Sequence, residues 1–592
     1  MNKKNILFVI LLFIMLICVI TLSACGLDSS INDLEFTLNE DNESYSVTLN
    51  PKIEDRLSIE EIVIPREYNE KPVTIICDDA FKGCSLLTSV TIPDSVISIG
   101  KNAFSWCLSL ITITIPSSVQ SIGEYAFFGC YKLIEVINLS DLNIKQNSEE
   151  YGCVGQYASR ISSIEKSAIV NLRGYLFITI NKINYLLEYI GKRTNITLPM
   201  NYNGEEYQIY KYAFYKRSSL TFVTIPNSVK IIGVSAFEGC SSLTSITIPN
   251  SVTNIGGYAF YGCYKLVEVI NQSNLNIEQN SDANGQIGKN ALRISTTGKS
   301  TIVKKNNYLF MTINNTNYLL GYTGKKTEIT LPENYNGEEY IICRYAFYNC
   351  SSLTSITIPS GVKTIDEYAF RDCSSLTSII IPDSVTNIKP GIFSYCSSLT
   401  SVSIPSGVTR ISEEFFFCCS SLTSISIPNS VISISDKAFY GCSSLTSITI
   451  PDSVTSLGWC AFENCTSLTS IAISNNVTSI RPGTFRNCSS LTSITIPKKV
   501  AKIEEEAFRD CSSLISIDIP DMVSTIDRKA FFRCSSLTSV TIPNSVIIIG
   551  SGAFSNCSNL TFYCEEKSQP SGWDSYWNEG RPVVWDYLNQ KN

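Results

Sequence analysis

From about residue 60 to residue 560, apolar side chains return at one fixed interval. Cysteines stand at 84, 107 and 130, at 240 and 263, and at every twenty-third position from Cys350 to Cys557. Leu follows three residues later, as in Leu87, Leu243, Leu376, Leu445 and Leu537, and Phe stands three residues earlier, as in Phe81, Phe237, Phe370, Phe439 and Phe531. Arg217 takes the cysteine position once, with Phe214 and Leu220 keeping register, so sixteen coils follow this ruler. In the coil from Cys373 to Tyr395, Leu376, Ile379 and Ile381 alternate as the inward side of a strand. Pro382 ends that strand because it cannot donate to a continuing ladder. Val385 and Ile388 turn inward again, and Ile392-Phe393 close the coil. The small residue before most of the phenylalanines, as in Ala369-Phe370, predicts a single helical or 3-10 turn. One coil buries too little to offset the entropy of ordering it, so the pattern predicts a β-rich solenoid in which each coil is stabilised by its neighbours.

The register breaks twice, between Cys130 and Arg217 and between Cys263 and Cys350. The two breaks are copies, since Tyr131-Lys132-Leu133 matches Tyr264-Lys265-Leu266 and Tyr185-Leu186-Leu187 matches Tyr318-Leu319-Leu320. Each ends in an alternating run, first seen as Tyr175 to Ile180, then Thr197-Leu198-Pro199 and a turn at Asn203-Gly204, which predicts a small β-meander. Phe36 to Pro65 resembles that meander and is expected to cap the first coil. Short helices are expected to open at Gly155-Gln156-Tyr157-Ala158 and Gly288-Lys289-Asn290-Ala291. The expected order is a leader (1–24), a tether (25–34), an N-terminal β cap with the first coil (35–76) and a repeat block (77–137). An insert (138–205), a second block (206–270), a second insert (271–338), a third block (339–560) and a Trp-rich C-terminal cap (561–592) follow. Trp573, Trp577 and Trp585 need cover, either as a lid over the last coil or as an aromatic platform for sugar.

Composition narrows the chemistry. Only 17% of residues are charged, the net charge is −7, and no histidine is present. Without histidine, the commonest general base near neutral pH is absent. Phosphate-cradling glycine loops and nucleophile elbows are also missing, and the scattered carboxylates form no fixed pair. No enzyme activity, catalytic residue or cofactor is expected. With no long basic run, nucleic acid is not an expected partner. The register cysteines Cys350, Cys373, Cys396, Cys442, Cys488, Cys511 and Cys534 read as a ladder of buried free thiols. Parallel side chains in stacked coils hold their Cβ atoms farther apart than the ~3.8 Å of a disulfide. They also lack the paired spacing of a zinc site, so no metal is expected. The off-register Cys77, Cys153, Cys343, Cys418, Cys460 and Cys564 leave a disulfide open.

At the N-terminus, Lys3-Lys4, the apolar run Ile6 to Ile20 and Leu22-Ser23-Ala24-Cys25 form a charged region, a hydrophobic region and a small-residue cleavage site. Cysteine directly after Leu-Ser-Ala resembles the bacterial lipobox. That resemblance implies that Cys25 becomes the acylated mature N-terminus and that the rest is extracytoplasmic on the bacterial surface. Several acyl chains hold stably where one would not.

The unit running from Cys442-Ser443-Ser444-Leu445 to Gly458 resembles the BspA-type leucine-rich repeat of bacterial surface proteins, over nearly all of residues 60–560. The resemblance implies a leucine-rich-repeat solenoid and surface attachment, with an extracellular-matrix or other surface protein, or a glycan, as the partner. It transfers no binding residue, because the recurring residues are core residues. Core positions are Phe370, Phe439, Phe531, Leu376, Leu445 and Leu537 beside the cysteines. The outward strand positions Thr377, Ser378, Thr400, Ser401, Thr446, Ser447 and Thr449 form a candidate ligand surface of stacked hydroxyls or a merely solvated face. Coil-to-coil differences gather at the turn, as in Glu367-Tyr368, Glu413-Glu414, Trp459-Cys460 and Arg528-Lys529, so specificity is expected there or on the inserts. The alternative is an inert structural spacer or coat component.

Overall fold

The protein is described by a computed structural model covering residues 33–53, 56–163, 167–297 and 302–590; Cys25 and its leader lie outside the described residues. The chain divides into two compact units, Met1–Gly298 and Lys299–Asn592. Both are β-solenoids, and among the described residues helix is confined to Ala283–Gln286 and three short 3-10 segments.

One coil of the second unit shows how the sequence makes the fold. In the strand Ser378–Ile380 only Ile379 is buried, as period-2 alternation requires. The strand pairs in parallel with Ser355–Thr357 before it and Ser401–Val402 after it, residue for residue at the coil interval. A second row of short parallel strands includes Val362–Ile365 and Asn387–Ile388. The corner expected to be a helical or 3-10 turn is built from hydrogen-bonded turns with two left-handed residues, Tyr368 at φ 54° and Asp372 at φ 59°. At this corner the N–H groups of Tyr368, Phe370 and Asp372 point along the stack. They donate to Pro390, Ile392 and Ser394 of the next coil at 2.9–3.0 Å. A helix would have consumed those donors inside one coil; the solenoid uses them as a third ladder between coils.

Inside the column the register residues form ladders of their own. The Phe508, Phe531 and Phe554 rings stack at 5.2 and 5.0 Å. Each thiol also does more than fill space: Cys488 Sγ donates to the Phe462 carbonyl at 3.2 Å, and Cys511 Sγ to Phe485 at 3.1 Å. Those carbonyls belong to the preceding coil and already accept the N–H of Cys465 and Cys488, so the second lone pair is used as well. All described cysteines are free thiols, including the off-register ones.

In the first unit the residues that interrupt the cysteine ruler do not interrupt the stack. Glu135–Asn138 pairs in parallel with both Thr112–Ile115 and Arg160–Ser162, so an irregular coil follows Cys130. Its corner contains the 3-10 segment Tyr151–Cys153, and in the second copy Ala283–Gln286; both lie just ahead of the expected helix starts. Gly152 is left-handed there, at φ 64°, and an added Cβ would lie 2.5 Å from the Gly123 carbonyl oxygen. After it, Val170–Leu172, Tyr175–Ile180 and Ile183–Tyr189 form an antiparallel meander whose last strand runs parallel to Tyr207–Ile209. Leu34–Leu38 and Tyr45–Leu49 repeat that hairpin arrangement before Lys71–Ile76.

The meander explains two departures from the repeat. Ile178, Ile180 and Leu187 pack on Ile111 and Ile134, which stand where other coils place an outward Thr. Nearby, Lys132 is buried against Glu188 at 2.9 Å, and Arg217 reaches Glu188 at 3.4 Å. Arg217 also donates to the Tyr189 carbonyl. The cysteine was thus replaced by the partner of an insert carboxylate; in the duplicated copy the corresponding residues are Gly321 and Cys350.

At the C-terminus Trp573 and Trp577 are buried and lie over the last coil. Trp573 Nε1 donates to the Val546 carbonyl at 3.0 Å, and Trp577 meets Phe562 at 4.5 Å.

Candidate binding surface

A solenoid offers a ligand its strand faces and its turn edge. In the second unit Thr377, Ser378, Thr400, Ser401, Thr446, Ser447 and Thr449 are all exposed on the first strand face. Their threonine hydroxyls are partly spoken for. Thr377 Oγ1 donates to the Thr354 carbonyl at 3.0 Å, Thr400 to Thr377 at 3.3 Å, and Thr446 to Thr423 at 3.4 Å. A parallel column does the same, with Ser443 Oγ donating to the Ser420 carbonyl and Ser512 Oγ to the Ser489 carbonyl. The Thr377, Thr400 and Thr446 column therefore presents lone pairs and methyl groups, with its hydroxyl protons held in the stack. The predicted core residues lie on the opposite side: Cys373, Cys396, Cys442, Cys488, Cys511, Cys534, Phe370, Phe439, Phe531, Leu376, Leu445 and Leu537 are buried, and Cys350 is partly so. Among the described residues no group of His, Cys, Asp or Glu is arranged to hold a metal ion.

The turn edge differs from coil to coil, and its side chains form two continuous strips. The first is aromatic. Tyr345 stacks on Tyr368 at 5.3 Å, Arg371 lies 5.3 Å above Tyr368 and 5.2 Å from Tyr395, and Tyr395 meets Phe417 at 5.3 Å. Phe417 then stacks on Tyr440 at 4.7 Å. The second strip is ionic: Glu463 faces Arg486 at 3.7 Å, Arg486 faces Glu506 at 3.1 Å, and Glu506 faces Arg509 at 2.5 Å. Trp459, half exposed and covered on one face by Arg481 at 5.6 Å, stands at their junction.

Backbone economy does not explain the tyrosines. Tyr345 and Tyr368 occupy left-handed positions, at φ 54° in each case, where Asn, Asp or Gly would be less strained. Left-handed geometry costs a bulky L-residue roughly 1–2 kcal/mol, so the backbone position itself does not favour the rings. Burial of its hydroxyl, with the Glu414 carboxylate nearby, pushes the Tyr368 phenol up to about 12. It stays protonated at any physiological pH and donates to the Glu414 carboxylate at 3.4 Å.

The sequence pointed to this edge through Glu367-Tyr368, Glu413-Glu414 and Trp459-Cys460 but gave no sign of a continuous strip. Its rings come from different register positions: Tyr368 two residues before Phe370, Tyr395 two after Phe393, Phe417 and Tyr440 one after Phe416 and Phe439. Only the stacking of turns aligns them.

The model of the BspA-type leucine-rich repeat region matches residues 54–171, 207–319, 311–445 and 432–561. The chain belongs to the BspA-type leucine-rich repeat family. Similar solved structures include a leucine-rich repeat protein from Bacteroides ovatus, 21% identical over 93% of this chain and 98% of that one, with a TM-score of 0.34. A leucine-rich cell surface protein from Faecalibacterium prausnitzii is 26% identical over 67% of this chain and 98% of its own, with a TM-score of 0.31. No curated protein matches the chain. In this BspA-type array the recurring residues serve the core and the ladders between coils. The residues that individualise it lie on the turn edge.

Proposed function

We propose that the protein is a lipid-anchored bacterial surface protein that binds an extracellular protein or glycan along the turn edge of its coils. The observation that carries this reading is the strip from Tyr345 through Arg371 to Tyr440. Aromatic faces and a guanidinium at coil spacing suit the faces of sugar rings or the side chains of an extended peptide. Many weak contacts repeated at that spacing sum through avidity without any single strong site. The lipobox-like Leu22-Ser23-Ala24-Cys25 supports anchoring, and the family relationship supports a surface location. Among the described residues no helix is long and apolar enough to cross a membrane.

Capture of matrix proteins and glycans by the purified protein on an array, compared with a Tyr368→Ala/Tyr395→Ala/Tyr440→Ala variant, tests the reading. Retention is expected to fall at least tenfold in the variant. Equal retention by both, or none by the parent at low micromolar concentration, overturns it. The spacer alternative is supported by the threonine column of the strand face, whose hydroxyls are engaged in the stack. It requires that deletion of whole coils shorten the molecule and leave attachment unchanged.

A further inference from the structure

The second row of strands is interrupted between Asn387–Ile388 and Arg410–Ile411, which belong to different sheets although their coils are consecutive. In neighbouring coils, Thr386 N–H donates to Lys363 and Ile432 N–H to Thr409; Lys389 N–H donates to Ile365 and Ser435 N–H to Ile411. Between these two coils both links are missing. Thr409 N–H and Ser412 N–H meet no acceptor among the described residues, and the Thr386 carbonyl meets no donor. The Ser412 hydroxyl alone bridges the gap, donating to the Ile388 carbonyl at 3.0 Å.

The slot before the register Phe is Ala in most coils, but the coils flanking this gap carry Ile392 and Phe415, both fully buried. The second row is also interrupted between Ser456–Leu457 and Ser479–Ile480. At the first gap the unlinked coils leave a cleft of about 350 Å³ lined by Thr386–Pro390 and Val408–Glu413. Lys389 and Arg410 are exposed on its walls. Lys389 pairs with no carboxylate among the described residues, and Arg410 uses Nε on the Ser435 hydroxyl at 2.7 Å.

We propose that this cleft binds a carboxylated sugar residue, a hexuronate, entering from the second strand face. Two cationic side chains and two unpaired N–H groups belong to residues that line this space, and an acceptor-rich anion suits them. The Thr386 carbonyl, the Asn387 amide, the Thr409 hydroxyl and the Glu413 carboxylate supply partners for ring hydroxyls. Ile388 and Val408 are buried in the column, so the charged and polar groups of the walls carry the recognition. Its volume lies near the lower end of small-molecule clefts, about 300–1,000 Å³, enough for one sugar unit of a longer chain. The inference gives the glycan reading above a definite chemistry, yet its residues are separate from the aromatic strip, so the two can fail independently.

The experiment is calorimetric titration of the full-length protein in detergent with oligogalacturonate, with a neutral galactose oligomer and with acetate. One oligogalacturonate per chain is expected, weakened by salt, with no comparable binding of the other two. Lys389→Gln/Arg410→Gln, both exposed, is expected to weaken binding at least tenfold with unchanged circular dichroism. Absence of oligogalacturonate binding, equal binding of the neutral oligomer, or indifference to the double variant overturns the proposal. Retained array capture with lost oligogalacturonate binding overturns this inference alone, whereas the reverse overturns only the aromatic-strip reading.

Discussion

The thiol ladder makes the fold sensitive to alkali in a calculable way. Burial pushes Cys511 up from a usual 9.0 to about 12, and Cys465, Cys488 and Cys534 well above their ordinary value. A thiol that ionises less readily when folded loses nothing while both states are protonated, below pH 9. Above that, the unfolded chain ionises first, and the contribution disappears as pH rises toward the folded value. Each such thiol then costs about 1.4 kcal/mol per pH unit. Four in consecutive coils cost roughly 5–6 kcal/mol at pH 10, comparable with the whole stability of a small domain. Coils 465–534 are therefore expected to unfold cooperatively between about pH 9 and 11. Urea midpoints by circular dichroism at pH 7.5, 9, 10 and 10.5, for the parent and for a Cys465→Ala/Cys488→Ala/Cys511→Ala/Cys534→Ala variant, measure the effect. The variant should be less stable at neutral pH but lose stability less steeply with alkali, which separates the thiols from tyrosine ionisation. In parallel, thiol labelling of Cys511 in the native protein at pH 8 should be at least about a thousandfold slower than in urea, because its thiolate fraction falls from roughly a tenth to about 10⁻⁴. Thiolate absorbance titrating near pH 9 with native dichroism retained would refute the reasoning.

Other outcomes follow from single contacts. Glu188→Gln leaves Lys132 buried without its counter-charge and should cost about 3–5 kcal/mol, read as a lower melting temperature; a Lys132→Met/Glu188→Leu double variant should recover most of it. Thr400→Val removes one hydroxyl from a carbonyl that also accepts a backbone N–H, and should lower stability by only about 0.5–1.5 kcal/mol in urea titration. Trp577→Ala uncaps the last coil and should cost about 3–5 kcal/mol, with hydrogen exchange accelerating first near Phe554 and Phe562. Cys25→Ser should move the protein from the membrane fraction to the soluble fraction of cells and abolish labelling by a palmitate analogue.

The periodic part of this protein was legible because each coil repeats one burial pattern. Phe, Cys and Leu at fixed offsets mark the column, and Pro382 and its counterparts mark where a ladder must stop. The insert meanders were legible for the same reason, as alternation over Tyr175 to Ile180. The irregular coil after Cys130 was not, because Glu135–Asn138 and Arg160–Ser162 are joined by residues with no register cysteine, and only their parallel pairing reveals that the stack continues. At the corner, Ala-Phe suits a helical or 3-10 turn; what decides against it is the demand of the next coil for N–H donors, which is not a local property.

The sequence by itself determined the coil length, the inward side chains, the duplicated inserts and the absence of histidine chemistry, since these are properties of spacing and composition. The tertiary structure alone decided which side chains meet across coils. It drew Tyr368, Tyr395, Phe417 and Tyr440 from unequal register positions into one strip, spent the threonine protons on neighbouring carbonyls, and opened a cleft where Ile392 and Phe415 adjoin. Each of these depends on distances between residues about twenty-three positions apart, and a stack of coils converts that separation into direct contact.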